Sequence, residues 1–371
     1  MTRLRMGMVG GGPGSFIGPV HRIAAELDRE IELVAGAFSS DPARSRVAGD
    51  SYRIDGARAY PDLETMLREE AARSDGIDFV AVTTPNFHHL PAVRAALAAG
   101  IPVICDKPAT ATLAEAEEMA DLVRDAGLPF ALTYTYSGYP LAREARARVA
   151  AGAIGAVRKV VVEYPQGWLA GEASGKQAEW RVDPSRAGAG GCIADIGVHA
   201  FHLAEFVTGL RVTRIMADLG TVVPGRLLDD DCQILLRFEN GARGALLASQ
   251  ISVGERNGLR IRVYGDAGGL DWKQECPNVL VLHEIGGSTE LIQAGDAALG
   301  TEAALASRTP GGHPEGYLEA FANIYRDFAR QLRGESGSLA PGIEEGLRGM
   351  RLIDLAVRAS AENCGWIDFP K

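Results

Sequence analysis

Across residues 4–134 short apolar runs alternate with amphipathic ones, and this alternation restricts the fold more than any other feature of the chain. Residues 4–9, 31–38, 77–82, 101–104 and 130–134 have the length and apolar content of buried strands. Residues 19–27, 61–72, 91–99 and 112–126 read as helices. Thr112 and Glu115 stand at capping-box spacing, and Gly100 follows the third helix as a C′ residue. Strands that alternate with helices pair in parallel through helical crossovers, so residues 1–133 are expected to form a doubly wound parallel sheet.

Ligands of such a sheet bind at the carboxyl ends of its strands, and three of those ends carry polar groups. The first is Gly10-Gly11-Gly12-Pro13-Gly14-Ser15-Phe16-Ile17-Gly18, between a strand and a helix. That is the setting of a dinucleotide fingerprint: glycines let backbone amides approach a pyrophosphate, and the helix N-terminus adds orphan N–H groups. Gly10 and Gly12 match the spacing, whereas Gly18 comes later than GxGxxG predicts. The second is Thr84-Pro85-Asn86-Phe87-His88-His89. The third is Val103-Ile104-Cys105-Asp106-Lys107-Pro108, where a lysine leaves a buried strand at the ligand edge, placed to touch a cofactor or substrate. The plain alternative is a surface turn with a solvated lysine.

At the end of the second strand a dinucleotide site usually sets an acid against the ribose hydroxyls. Here Ser39 and Ser40 stand there, with Asp41 just beyond and Arg44 and Arg46 within reach of a 2′-phosphate. The missing acid removes a repulsion against NADP, but serines also hydrogen-bond a bare ribose. The expected cofactor is therefore NAD or NADP.

The pattern changes after Tyr134. Residues 157–164, 212–219, 231–238, 242–250 and 259–264 are strand-like, Asn240-Gly241 and Gly268-Gly269 read as turns, and residues 296–314 read as a loop. Helices are expected at 141–151, 319–332 and 344–362. Consecutive strands with few helices between them point to a large, mainly antiparallel sheet, whose open face would serve as a subunit interface. A chain of 371 residues exceeds one ordinary core, and residues 134–371 are expected to form this second domain.

The second half carries its own constellation, Gly190-Gly191-Cys192-Ile193-Ala194-Asp195-Ile196-Gly197-Val198-His199, followed by His202. A helix entered through the glycines puts Asp195 and His199 on one face. Three readings stand side by side: an acid/base pair, with histidine suited to proton transfer near neutrality; a metal site with His202, for which no further ligand is evident; and a core histidine with Asp195 as a cap.

Composition narrows the partners. A formal net charge of -10 disfavours a duplex nucleic acid or an anionic membrane. No run approaches the apolar length of a membrane span, and the N-terminus enters the glycine segment too soon for a signal peptide. Five scattered cysteines without a CxxC pair read as reduced thiols in a cytoplasm.

Taken together, the glycine loop, Thr-Pro-Asn-x-x-His, Asp-Lys-Pro and Gly-Gly-x-x-x-Asp-x-Gly-x-His occur in an order that resembles the Gfo/Idh/MocA oxidoreductases, the glucose–fructose oxidoreductase and inositol dehydrogenase superfamily. The resemblance implies an N-terminal Rossmann domain, a C-terminal α/β domain with an open-faced sheet, a nicotinamide cofactor and a homodimer or homotetramer. It implies that Lys107, Asp195 and His199 are catalytic. It places Gly10, Gly12, Phe16, Ile17, Ser39, Ser40, Arg44, Thr84, Pro85, Asn86, His89, Asp106, Lys107 and Pro108 on the cofactor side. The family usually has Glu where Asp106 stands.

Similarity to sugar and cyclitol dehydrogenases of the levoglucosan and inositol type, through Tyr164-Pro165-Gln166-Gly167-Trp168, Trp180-Arg181 and Gly312-His313-Pro314, implies a small sugar, anhydrosugar or cyclitol substrate. Tyr136, Gln166, Trp168, Trp180, Asp195 and His199 are the candidates to hold it. Both tryptophans also suit a core or interface. A glycoside hydrolase using transient ring oxidation is the alternative activity. A non-catalytic NAD(P) sensor would need the loop but not Lys107 with His199.

Overall fold

The computed structural model describes residues 2–171 and 182–370, apart from the side chain of Ser185. They divide into two compact units, the first comprising Met1–Thr135 with Phe321–Leu347 and the second Tyr136–Ala320 with Arg348–Lys371.

The first unit is a five-stranded parallel sheet of β1 (Leu4–Gly10), β2 (Ile31–Ala37), β3 (Phe79–Thr83), β4 (Val103–Cys105) and β5 (Phe130–Leu132). Their order is β2-β1-β3-β4-β5. Strands β3, β4 and β5 are buried throughout, which is why they read as unbroken apolar runs. The chain passes from β1 to β2 on one side and returns to β3 on the other, so the carboxyl ends of β1 and β3 flank the topological switch point. Gly10 and Thr83 are register partners at that end. The capping box of helix Leu113–Ala126 forms as its spacing predicts.

Residues 321–347, expected in the second domain, belong to the first unit. Helix Tyr317–Leu332 buries Phe321, Tyr325 and Phe328. Phe328 meets Phe79 of β3 edge to face at 5.3 Å, and Pro341 accepts the Leu132 amide of β5 at 2.7 Å.

The second unit holds a nine-stranded sheet of β6 (Val157–Pro165), β7 (Val212–Gly220), β8 (Asp231–Phe238), β9 (Arg243–Ser249), β10 (Arg260–Gly265), β11 (Gly268–Lys273), β12 (Val279–Glu284), β13 (Thr289–Gln293) and β14 (Ile367–Asp368). The order is β13-β12-β11-β10-β6-β9-β8-β7-β14. Only β6 and β9 pair in parallel among these described strands.

Helices Pro140–Ala150 and Val198–Thr208 lie in this unit, the second packing on β6, β9 and β10. The register aligns Leu235, Leu247, Tyr264, Val281 and Leu291 on one face of the sheet. Leu235, Leu247, Tyr264 and Leu291 are exposed there, with the Arg262–Glu163 ion pair among them.

Two local expectations are corrected. Gly268-Gly269 is not a turn but the start of β11, with Gly269 paired to Tyr264 and Gly268 to Glu284. A Cβ on Gly268 would lie 2.3 Å from the His283 carbonyl oxygen, so the glycine marks close strand approach, not reversal. The expected loop at 296–314 contains the helix Thr301–Ala306. Among the described residues no helix is long and apolar enough to cross a membrane.

Candidate functional site

In the first unit the glycine loop is held from three sides. Gly10 and Gly11 take φ of 88° and 75°, the left-handed region open to glycine. A Cβ on Gly12 would stand 2.5 Å from the Phe38 carbonyl oxygen, and one on Gly18 would stand 2.4 Å from the Gly11 Cα. Gly18 thus performs the close helix-to-loop packing assigned to the last glycine of the fingerprint, and the longer loop displaces that glycine without abolishing its function. The Tyr52 hydroxyl donates to the Gly11 carbonyl at 2.6 Å.

Phe16, at the N-cap of helix Ile17–Glu26, makes no side-chain cap and no acid stands in the first turn, while the Ser15 hydroxyl accepts from the Gly18 amide at 3.2 Å. Phe16 is exposed beside it and Ile17 half-buried.

At the end of β2, Asp41 caps helix Pro42–Tyr52: its carboxylate accepts from the Ala43 amide at 2.8 Å and the Arg44 amide at 3.3 Å. The Ser39 hydroxyl accepts from the Asp41 amide, and Ser40 is exposed. The Arg44 guanidinium reaches back to the Pro13 carbonyl of the glycine loop at 3.3 Å.

At the end of β3, Thr83 donates to the Val9 carbonyl, fastening β3 to β1. The adjoining Thr84 hydroxyl is buried with no hydrogen-bond partner among the described residues. Pro85 is exposed and Asn86 buried. His89 is buried, with Nδ1 2.9 Å from the Pro108 carbonyl and Nε2 2.9 Å from the Thr84 carbonyl. Burial pushes its pKa down. Both ring nitrogens therefore face backbone carbonyls, one of them as the neutral ring's donor, and His89 packs between the Thr84 loop and the Pro108 loop.

The third strand end, after β4, turns at Asp106, Lys107 and Pro108, all half-buried, with a cis Lys107–Pro108 bond. The Asp106 amide donates to the Val82 carbonyl at 2.9 Å. Burial would raise the Asp106 carboxyl, but His21, Lys107 and Thr133 overcome it and hold the group below the usual carboxylate range. The close-packed glycines, the acid-free helix N-terminus and the orphaned Thr84 hydroxyl at the β1/β3 switch point fit a dinucleotide phosphate.

In the second unit the Gly190-Gly191 entry leads into a π turn, Ile193–Gly197, and then helix Val198–Thr208. The expected single α-helix is thus corrected, and Asp195 and His199 do not stand at α-helical i,i+4 geometry. The entry to this turn is anchored by Asp229, on the loop before β8. Its carboxylate accepts from the Gly191 amide at 2.6 Å and the Ile193 amide at 2.7 Å. A Cβ on Gly191 would lie 2.3 Å from the Asp229 carbonyl oxygen, so the glycine permits this approach.

Asp195 is half-buried, and its carboxylate accepts from Gln250 Nε2 at 3.0 Å. The His199 ring meets Tyr136 edge to face at 4.8 Å. The Tyr136 and Tyr164 hydroxyls share a hydrogen bond. Tyr164 then donates to Asn257 Oδ1 at 2.7 Å, Gln166 Nε2 donates to the same oxygen at 2.8 Å, and Trp168 Nε1 donates to Gln166 Oε1 at 2.8 Å. Burial pushes both phenols up, so they remain protonated donors at neutral pH.

Tyr136, Gln166 and Trp168 are thereby brought into one network beside His199. Trp180 lies outside the described residues. Asn257, Gln250 and Asp229 escaped the sequence reading; Asn257-Gly258 reads as an ordinary turn, and the other two act on residues far along the chain. His202 packs against Phe206 at 5.9 Å. No group of three metal-ligating side chains is assembled among the described residues.

Burial raises the Asp229 carboxyl to about 6, against the pull of its two amide donors. A carboxyl raised above its unfolded value favours the folded state while protonated. Its contribution is full below about pH 4 and is lost as pH rises through about 6, a change of about 3 kcal/mol. Asp229→Asn is expected to abolish this part of the pH dependence. Urea-unfolding free energies of native protein and variant should therefore diverge steadily between about pH 4 and 7, the native protein losing ground. Parallel curves would refute the assignment.

Comparison with known proteins agrees with this geometry. Residues 4–134 match the family model described as an oxidoreductase family with an NAD-binding Rossmann fold, and residues 142–271 match the GFO/IDH/MocA C-terminal domain. An uncharacterised oxidoreductase of Bacillus subtilis (strain 168) is 34% identical over 380 residues, covering 99% of this chain and 97% of its own. An inositol dehydrogenase homolog from Azotobacter vinelandii, solved with NAD+ and with NADH and myo-inositol, is 36% identical, covers 99% of this chain and 98% of its own, and superposes with TM-scores of 0.95 and 0.92. Levoglucosan dehydrogenase of Pseudarthrobacter phenanthrenivorans is 26% identical over 410 residues, covering 100% of this chain and 99% of its own. With both family models matched in order, each on its own unit, the chain belongs to the GFO/IDH/MocA family as an NAD-binding oxidoreductase.

Proposed function

We propose that this protein is a dehydrogenase that moves a hydride between a secondary alcohol of a sugar, anhydrosugar or cyclitol and NAD. The carrying observation is the network of Tyr136, Tyr164, Asn257, Gln166 and Trp168 next to His199. It offers two buried hydroxyls and the half-buried amides of Gln166 and Asn257, together with an indole that is 47% exposed. Polyhydroxylated rings present this combination of vicinal hydroxyls and an apolar C–H face. Full-length relatives named for levoglucosan and inositol support the same class.

The nicotinamide supplies the hydride acceptor when bound. In this reading His199 takes the hydroxyl proton and Asp195, held by Gln250, orients the substrate. Lys107 donates to the reacting oxygen and stabilises its growing negative charge. NAD is favoured over NADP because the Asp41 carboxylate already occupies the amides at the end of β2, where a 2′-phosphate would meet a like charge. The expected preference for NAD in kcat/KM is about tenfold or more, equivalent to about 1.4 kcal/mol.

We further assign the exposed row Leu235, Leu247, Tyr264 and Leu291 to contact with a second copy in a homodimer or homotetramer. The free cysteines suit a reducing cytoplasm. The test is a reduction assay with NAD and NADP separately against inositols, levoglucosan, glucose, glucosides and sugar phosphates, followed by the absorbance of reduced nicotinamide. Turnover with none of these polyols, or an NADP preference, would overturn the corresponding assignment.

A further inference from the structure

Behind the Lys107 turn, the first unit buries a line of polar side chains that the proposed reaction does not use. His21, on helix Ile17–Glu26, is 0% exposed. Its Nδ1 lies 2.7 Å from the Tyr325 hydroxyl of helix Tyr317–Leu332. Its Nε2 faces Asp106 Oδ1 at 3.8 Å and makes no hydrogen bond among the described residues. The same Asp106 oxygen accepts from the Thr133 hydroxyl at 2.7 Å. Phe321 closes the ring edge-on at 4.8 Å.

This geometry decides the tautomer. A proton on Nδ1 would aim the Nε2 lone pair at a carboxylate in a dry site, where like charge is costly. With Tyr325 donating to Nδ1, the proton sits on Nε2 and points at Asp106, and every dipole along the line is aligned. Asp106 immediately precedes Lys107, so whatever holds its side chain holds the turn from which the ammonium projects.

We infer that His21, oriented by the Tyr325 hydroxyl, is a positioning residue for Lys107, acting through the Asp106 carboxylate. The kinetic part of this inference rests on the dehydrogenase reading and on Lys107 serving it; the tautomer does not. The charged and titratable groups facing Asp106 are His21, Lys107, His89, Cys105 and Tyr325. Burial keeps His89 neutral and raises both the Cys105 thiol and the Tyr325 phenol, so these three carry no charge near neutrality. Loss of the His21 donor therefore lets the Asp106 carboxyl rise, and activity should fail at a higher pH on the acid side.

The experiment combines nitrogen NMR of histidine-labelled protein bound to NAD+ with pH profiles of three variants. His21→Gln keeps an amide able to accept from Tyr325 and donate to Asp106; His21→Leu keeps bulk alone; Tyr325→Phe removes one oxygen. The signal lost in His21→Gln should report a ring that carries its proton on Nε2 and not on Nδ1. Tyr325→Phe and His21→Leu should lower kcat about 10- to 100-fold. Both should move the acid limb of kcat/KM upward and leave NADH affinity near the native value. His21→Gln should retain most of kcat and the native limb.

Should His21→Leu fail to fold, Tyr325→Phe carries the test. A ring protonated at Nδ1, a native acid limb in Tyr325→Phe, or a His21→Gln variant as impaired as His21→Leu overturns the inference. Full turnover in Lys107→Ala with the expected His21 spectrum would fall on the dehydrogenase reading of Lys107 instead.

Discussion

Alanine at Lys107 is expected to lower kcat about 10²- to 10³-fold, the usual cost of removing one donor from a developing oxyanion. NAD affinity should stay close to native, because the glycine loop and the β1/β3 switch point are untouched by the change. Lys107→Arg should not restore the rate: a planar guanidinium on a longer stem cannot reproduce a compact ammonium. Stopped-flow reduction of NAD at saturating substrate, with NAD affinity measured separately, checks both halves. If Lys107→Ala keeps native kcat, or fails only through lost NAD binding, the lysine is not the oxyanion donor.

The second large effect is expected at Gly12. A methyl group there would press into the Phe38 carbonyl at 2.5 Å, a contact with backbone that no side-chain rotation relieves. Overpacking of this kind costs about 1–3 kcal/mol. The loop is partly exposed, so it should shift away from Phe38 without unfolding the sheet. The cost then falls on the conformation that accepts a pyrophosphate. Gly12→Ala should weaken NAD binding about 10- to 100-fold with kcat at saturating NAD largely retained. Isothermal titration against the native protein decides: unchanged affinity would remove the loop from the cofactor site.

Much of this site can be read from residue order. The three polar strand ends at Gly10, Thr84 and Asp106 follow from alternation alone, because a parallel sheet places those ends on one edge. The chemistry-bearing pair Asp195 and His199 is visible as a pattern. Its geometry is not: the segment is a π turn, and its entry is anchored by the distant Asp229 carboxylate, which accepts from the Gly191 and Ile193 amides. His89 shows the same gap: its place after Thr84-Pro85-Asn86 suggests a cofactor contact, while its neighbours turn both ring nitrogens to backbone carbonyls. Asn257 left no signal beyond a turn, since its role depends on Tyr164 and Gln166 from another strand.

Local pattern was sufficient for the parallel first sheet, the strand-rich second half, the glycine loop and the residue types able to hold a dinucleotide and move a proton. These follow from the period of apolar residues and from what glycine, lysine and histidine can do chemically. Tertiary structure alone decided that residues 321–347 join the first unit, that Gly18 completes the fingerprint, and that Tyr325 meets His21. An apolar face records that it must be buried but not against what, and that partner emerges only when segments far apart in the chain compete for the same surface.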